Sequence, residues 1–158
     1  MKKVFLYLIF AFALYVALLW AILQNIIVLP RAELRLALFC GISGGLGGIS
    51  YCLRGIYLNA CVNKQWDKAW LPWYYIRPIV SFICGIVSFV FLKAGLIILE
   101  ARQIEASSYF AFYAFSFAAG LNVDKFFEKI EDIAQVIWGI KKSRTASRES
   151  TNKYSEES

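Results

Sequence analysis

Residues 66 to 78 read WDKAWLPWYYIRP and lead straight into an apolar run from Ile79 to Leu99, broken only by Lys93. Trp66, Trp70, Trp73, Tyr74 and Tyr75 stand beside Lys68 and Arg77. Amphipathic rings next to cations settle at the headgroup level of a bilayer, where a flat apolar body and a polar edge are both satisfied. The stretch therefore marks a waterline, with Trp66, Trp70, Trp73 and Arg77 as membrane-interface anchors, and the chain on either side of it reads as membrane.

Composition agrees with a lipid solvent. Of 158 residues, 59% are hydrophobic, 17% aromatic and only 18% charged, against about 25% charged in a typical soluble domain. The net charge is +6, from 17 Lys and Arg against 11 Asp and Glu. These cations sit between apolar runs instead of spreading over one face, a pattern of membrane topology, so no direct nucleic-acid binding is expected. Cys40, Cys52, Cys61 and Cys84 show no close paired spacing, which indicates neither a metal site nor a disulfide framework. Histidine is absent, and with it the usual general base and the commonest metal ligand. The sequence thus indicates no catalytic residue and no cofactor, and the expectation is a protein that is not an enzyme.

Upstream of the waterline, Val4 to Leu29 is a run of 26 residues without a charge, about 39 Å of helix against roughly 30 Å of hydrocarbon. Lys2 and Lys3 with Ala11-Phe12-Ala13 would also suit a cleaved signal peptide, but the apolar run continues far past that site, so an uncleaved first span is expected. After a polar break from Pro30 to Arg35, Leu36 to Leu53 forms a second run. It contains Gly41, Gly44, Gly45, Gly47 and Gly48 with Ser43 and Ser50. In lipid, small residues four apart let helices approach closely, so Gly41, Gly44, Gly45 and Gly48 are candidate helix-packing positions within a bundle or an oligomer. The plainer alternative is a glycine-weakened span, since glycine is common in membrane helices.

Trp66 and Trp70 are four residues apart and would share a helix face, while Pro72 bends or restarts the backbone. A short interfacial helix with a turn into the third span at Arg77-Pro78 is one expectation, an irregular anchoring loop the other. Pro78 to Leu99 is the third span. Ser81, Gly85 and Ser88 form a narrow small-residue stripe suited to meet the glycine face of span two. An ionisable residue inside an apolar run, here Lys93, invites a functional role, but its long stem can snorkel to the outer headgroups, and no span as bounded here offers it an acidic partner.

Ser107 to Val123 is 17 residues without charge, at the lower limit for a span. With four spans, at about 4–29, 36–53, 78–99 and 107–123, 13 cations fall on one side and Arg31, Arg35 and Arg102 on the other, leaving Lys93 in the membrane. By the positive-inside rule both termini are cytoplasmic. From Asp124 to Ile140 the pattern becomes an amphipathic helix, with Phe126, Ile130, Ile133 and Ile137 in one stripe, Asn122 as its starting cap and Gly139 as its end. A lipid-surface helix would carry a basic polar face. This one carries Asp124, Glu128, Glu131 and Asp132 against Lys125 and Lys129, so its stripe is expected to dock protein, either a neighbouring subunit or a cytoplasmic partner. The polar tail from Lys141 to Ser158 is expected to be disordered. The fold class is an all-α polytopic membrane bundle of four transmembrane helices followed by a C-terminal cytoplasmic amphipathic helix.

A basic four-span chain with LPWYYIRP before span three, SFICGIVS within it and AAGLNVDKFFEKIEDIA after span four resembles a family of small bacterial inner-membrane proteins largely of unknown activity. It is also similar to the membrane subunits of the Kiwa antiphage defence system. That resemblance implies a membrane-embedded oligomer that detects phage infection and acts with a cytoplasmic, DNA-binding partner, and it transfers no site residue. Three functions follow as expectations. The first is an oligomeric inner-membrane scaffold or sensor for a cytoplasmic protein. The second is a pore-forming or holin-like effector, drawing on small size, the glycine face and Lys93. A small transporter or membrane enzyme ranks last, because no span contains a buried carboxylate or His.

Overall fold

The computed structural model describes residues 2–26, 31–62, 70–93, 95 and 108–139, all of them helix, turn or short connection. Trp66, Lys64, Lys68, the ends of the first and third expected spans, the polar turn at 100–105 and the tail 141–158 lie outside these residues. The helices are α1 (Lys2–Leu23), α2 (Ala32–Tyr57), α3 (Leu71–Lys93), α4 (Ser108–Leu121) and α5 (Val123–Trp138), with a π-helical turn, Leu58–Val62, extending α2. Three of them, α1 to α3, are apolar and long enough to cross a membrane, and α4 is a shorter apolar helix. Its 14 residues make about 21 Å. The chain divides into two compact units, Met1–Val123 and Asp124–Ser158.

In the first unit α2 is the central helix. Tyr15 of α1, Ser81 and Gly85 of α3, and Phe117 and Gly120 of α4 all pack directly against its glycines. Successive helices run antiparallel. Val4 and Leu8 at the start of α1 pack with Cys52 and Ile56 near the end of α2 and with Tyr74 near the start of α3. Cys40 of α2 meets Gly85 of α3, and Ser88 and Ser81 of α3 meet Ser116 and Gly120 of α4 in reverse order. The amino end of α1 and the carboxyl end of α4 therefore lie at one end of the bundle.

Backbone chemistry corrects three boundaries expected from apolar runs. α1 stops at Leu23, well before Leu29, because Asn25 adopts φ 54 and its N–H donates to the Ile22 carbonyl while that of Ile26 donates to Ala21. This pair of bonds is a Schellman closure, and Asn tolerates its left-handed position. α2 begins at Ala32, so Glu33 lies within its first turn and the span does hold an acidic residue. α3 runs unbroken from Leu71 through Pro78, which replaces the expected turn at Arg77-Pro78. Pro72 sits in the first helical turn, where its missing N–H has no intrahelical partner to lose. Pro78 does forfeit a helical bond, and α1 braces that turn: Tyr7 donates to the Tyr75 carbonyl at 3.0 Å and Tyr15 to the Pro78 carbonyl at 3.1 Å.

The closest approaches of these helices need glycine. A Cβ on Gly44 would lie 2.5 Å from the Ser81 carbonyl oxygen, and one on Gly120 would overlap the backbone of Gly44. Any larger residue forces α2 away from α3 or α4, and the dispersion contacts that hold helices together in lipid go with it.

In the second unit, α5 carries Lys125–Glu128 and Lys129–Asp132 ion pairs at 3.3 and 3.7 Å. It ends at Gly139, whose φ is 65 and whose N–H bonds the Gln135 carbonyl at 2.9 Å, a left-handed glycine stop.

Candidate functional site: a buried arginine at a helix end

The face of α3 that carries Arg77, Ser81, Gly85 and Ser88 repeats every three to four residues and points between α2 and α4. Arg77 is 1% exposed. Its guanidinium lies 3.9 Å from the ring centre of Tyr51 and 4.8 Å from that of Trp73, and its Nη2 donates to the carbonyl of Leu121 at 3.2 Å. One turn along, Ser81 donates to the Gly120 carbonyl at 3.0 Å. These two carbonyls belong to the last turn of α4, where a helix has no N–H of its own to offer and its dipole is negative. Arg77 and Ser81 thus cap α4 from the side. A planar guanidinium suits this role because it stacks between rings and donates from its edge.

Deeper along α3 the seam continues as hydroxyls. Ser88 and Ser116 share a hydrogen bond of 2.8 Å, and both reach the Gly85 carbonyl, at 2.8 and 3.3 Å. Ser43 donates to the Tyr113 carbonyl at 2.8 Å. Ser88 and Ser116 satisfy each other and the Gly85 carbonyl in the buried interior, as a low dielectric demands, and Ser43 makes its bond half-buried. Chemically the seam can orient helices and carry one fixed positive charge. It contains no carboxylate and no imidazole, and among the described residues no cluster of three His, Cys, Asp or Glu could hold a metal.

The structure brings the expected packing residues together inside one chain. Gly41 faces Phe82 and Ile86, Gly44 faces Ser81 and Gly85, Gly48 faces the Ser81 hydroxyl, and Gly45 faces the ring of Tyr15. Ser81 and Gly85 lie on the opposing side of the α2–α3 interface, while Ser88 meets Ser116 of α4. Gly120 is a further packing position that spacing within spans two and three does not reveal; its signal is the small triplet Ala118-Ala119-Gly120.

Of the expected anchors, Trp70 and Trp73 are exposed, Trp66 lies outside the described residues, and Arg77 is in the interior. Its place among cations and aromatic rings in the sequence pointed to the surface. The end of α4 together with the rings of Tyr51 and Trp73 accounts for its burial. Lys93 pairs with Glu33 and lies 5.9 Å from the ring centre of Phe89. Of the expected docking residues, Phe126 is buried, Ile130 and Ile133 are half-buried and Ile137 is exposed.

Comparison with known proteins returns no family model, no curated protein and no solved structure that matches the chain.

Proposed function

We propose that this protein is a non-enzymatic, oligomeric subunit of the bacterial inner membrane, built as a scaffold or sensor that presents α5 to a cytoplasmic protein partner and serves in antiphage defence. The observation that carries the reading is α5 itself. It follows α4 after one residue, Asn122, and bears an apolar stripe from Phe126 to Ile137 beside a polar face of net acidic charge. An acidic helix is a poor fit to an anionic lipid surface and a good fit to protein. In this reading α4 is a fourth span, both termini are cytoplasmic, and the cation excess of 13 against 3 faces inward.

The pore reading draws on the glycine face and Lys93. Both are engaged within one chain, the glycines by α1, α3 and α4 and Lys93 by Glu33, so the scaffold stands first. The test is affinity purification of the full-length protein in mild detergent, with particle mass and co-eluting chains recorded together. A defined oligomer carrying a soluble protein that is released by Ile130→Asp with Ile133→Asp supports the scaffold. Unchanged co-elution counts against α5 as the dock, and dye leakage from vesicles holding the purified protein alone moves the assignment to a pore.

A further inference from the structure

The helices on the two flanks of α2 differ in reach. α1 packs on the face that carries Gly45, Cys52 and Ile56, and α4 on the face that carries Gly47. At the end of the bundle where α3 finishes, α4 begins beside Lys93, since the rings of Phe112 and Phe89, each one turn further in, are in contact. At the other end the flanks part. The last turn of α4 stops at Gly47, where a Cβ would meet the Phe117 carbonyl and the Leu121 N–H, whereas Val4 and Leu8 of α1 pack with Cys52 and Ile56. From Gly47 to Ile56 is nine residues of helix, about 13 Å. α1 therefore carries apolar surface well past the point where α4 has ended.

The exposed side chains change character across that step. On α1, Phe5, Leu6, Ile9 and Phe10 are exposed, all suited to hydrocarbon. At the same heights below α4, the face of Gly47 continues through Tyr51 and Arg54, four and seven residues on, both exposed. α3 adds Trp73, whose half-exposed ring shares the Arg77 guanidinium with that of Tyr51. Rings with polar edges beside a cation suit lipid headgroups, and an arginine fork matches phosphate. Asn122, exposed, closes the α4 flank.

A flat leaflet satisfies one flank only. Set at Lys3, it submerges Arg54 and Asn122 in hydrocarbon; set at Leu121, it leaves Phe5 to Phe10 in water. A leaflet thinned beside α4 satisfies both. A second copy on this flank would desolvate Arg54, and among the described residues of the first unit the only carboxylate is Glu33, at the far end of α2.

We infer that the α4 flank seats a thinned patch of the inner leaflet, whose headgroups rise to Tyr51, Arg54 and Trp73, while the α1 flank holds the leaflet at full depth. This rests on the reading of α4 as a fourth span with cytoplasmic termini.

The test is tryptophan quenching by phospholipids brominated either close to the headgroup or deep in the chain, on the full-length protein in phosphatidylcholine and phosphatidylglycerol vesicles. Each variant keeps one tryptophan, the others being replaced by phenylalanine. Tyr51→Trp and Ile9→Trp set reporters at one height on the two flanks. The ratio of shallow to deep quenching is expected to be at least about twofold higher at position 51, and equal ratios overturn the step. Adding Arg54→Leu is expected to bring the two ratios together; an unmoved ratio overturns the part given to Arg54. Native Trp73, kept alone, guards against a local disturbance at position 51. Shallow quenching of Trp73 is expected, and deep quenching overturns the proposal. A ring at position 51 that neither bromine reaches, with position 9 quenched, means a flank covered by protein and overturns lipid as the occupant. Phe110→Trp tests the underlying reading: a ring reached by aqueous iodide and by neither lipid takes α4 out of the membrane and both claims with it. Lipid quenching at position 110 with equal ratios at 51 and 9 overturns the step alone.

Discussion

α3 carries two cations, Arg77 near its start and Lys93 at its end, in an otherwise apolar helix, and the structure treats them oppositely. Arg77 is enclosed, with two aromatic rings against its guanidinium and a carbonyl accepting from it. Lys93 and its partner Glu33 are 51% and 72% exposed. What separates them is which end of a neighbouring helix lies alongside. Arg77 meets the carboxyl end of α4, whose last carbonyls need donors and carry negative partial charge. Lys93 meets the amino end of α2, where Glu33 in the first turn suits the helix dipole as Lys93 suits the last turn of α3. A cation in a long apolar helix is thus held by the termini around it more than by its own position in the run. Arg35 repeats the theme, donating to the Ile22 carbonyl in the last turn of α1 at 3.4 Å.

The comparison can be broken most severely by taking α4 away from Arg77. Gly120→Leu should separate α2 from α4 and cost more than ~3 kcal/mol, beyond the usual range for overpacking because backbone is the obstacle. It is measured as a loss of the folded baseline when tryptophan fluorescence is followed through unfolding in mixed micelles. Next comes Arg77→Ala, which strips a donor from Leu121 and a cation from two rings, at about 3 kcal/mol in the same titration. Faster maleimide labelling of buried Cys52 should accompany it.

Arg77→Lys sharpens the point. The charge stays but the stacking fork is lost, so about half of that cost should remain if shape as well as charge matters; wild-type stability would show that charge alone suffices. Ser81→Ala removes one neutral donor from Gly120 and should cost about 1 kcal/mol. Smallest is the exposed pair. A double-mutant cycle on Lys93→Met and Glu33→Gln should return a coupling below ~1 kcal/mol, and a larger value would place Lys93 beside Arg77 as a structural cation.

Much of this architecture is legible in residues. The apolar runs mark helices, three of them long enough to cross a membrane. The five glycines between Gly41 and Gly48 mark a face of close approach, and Gly139 marks the stop of α5. The ends of helices are harder. With Asn25 closing it, α1 ends at Leu23, six residues short of the end of the apolar run at Leu29, and hydropathy gives no hint, since the closing bonds are made by backbone. Pro78 looks like a boundary and is a helix interior braced by tyrosines from α1.

From the sequence alone follow the all-helical class, helices apolar and long enough to cross a membrane, and the apolar stripe from Phe126 to Ile137. Those properties depend on composition and on periods of three to seven residues, which neighbours along the chain suffice to set. Tertiary structure alone decided which helices the glycines meet, that Arg77 is interior, that Glu33 finds Lys93, and that the seam Ser81 to Ser116 joins α3 to α4. Each of these pairs residues more than a full helix apart in sequence, and their proximity comes from how α1, α3 and α4 settle around α2, where the smallest residues let backbones come closest.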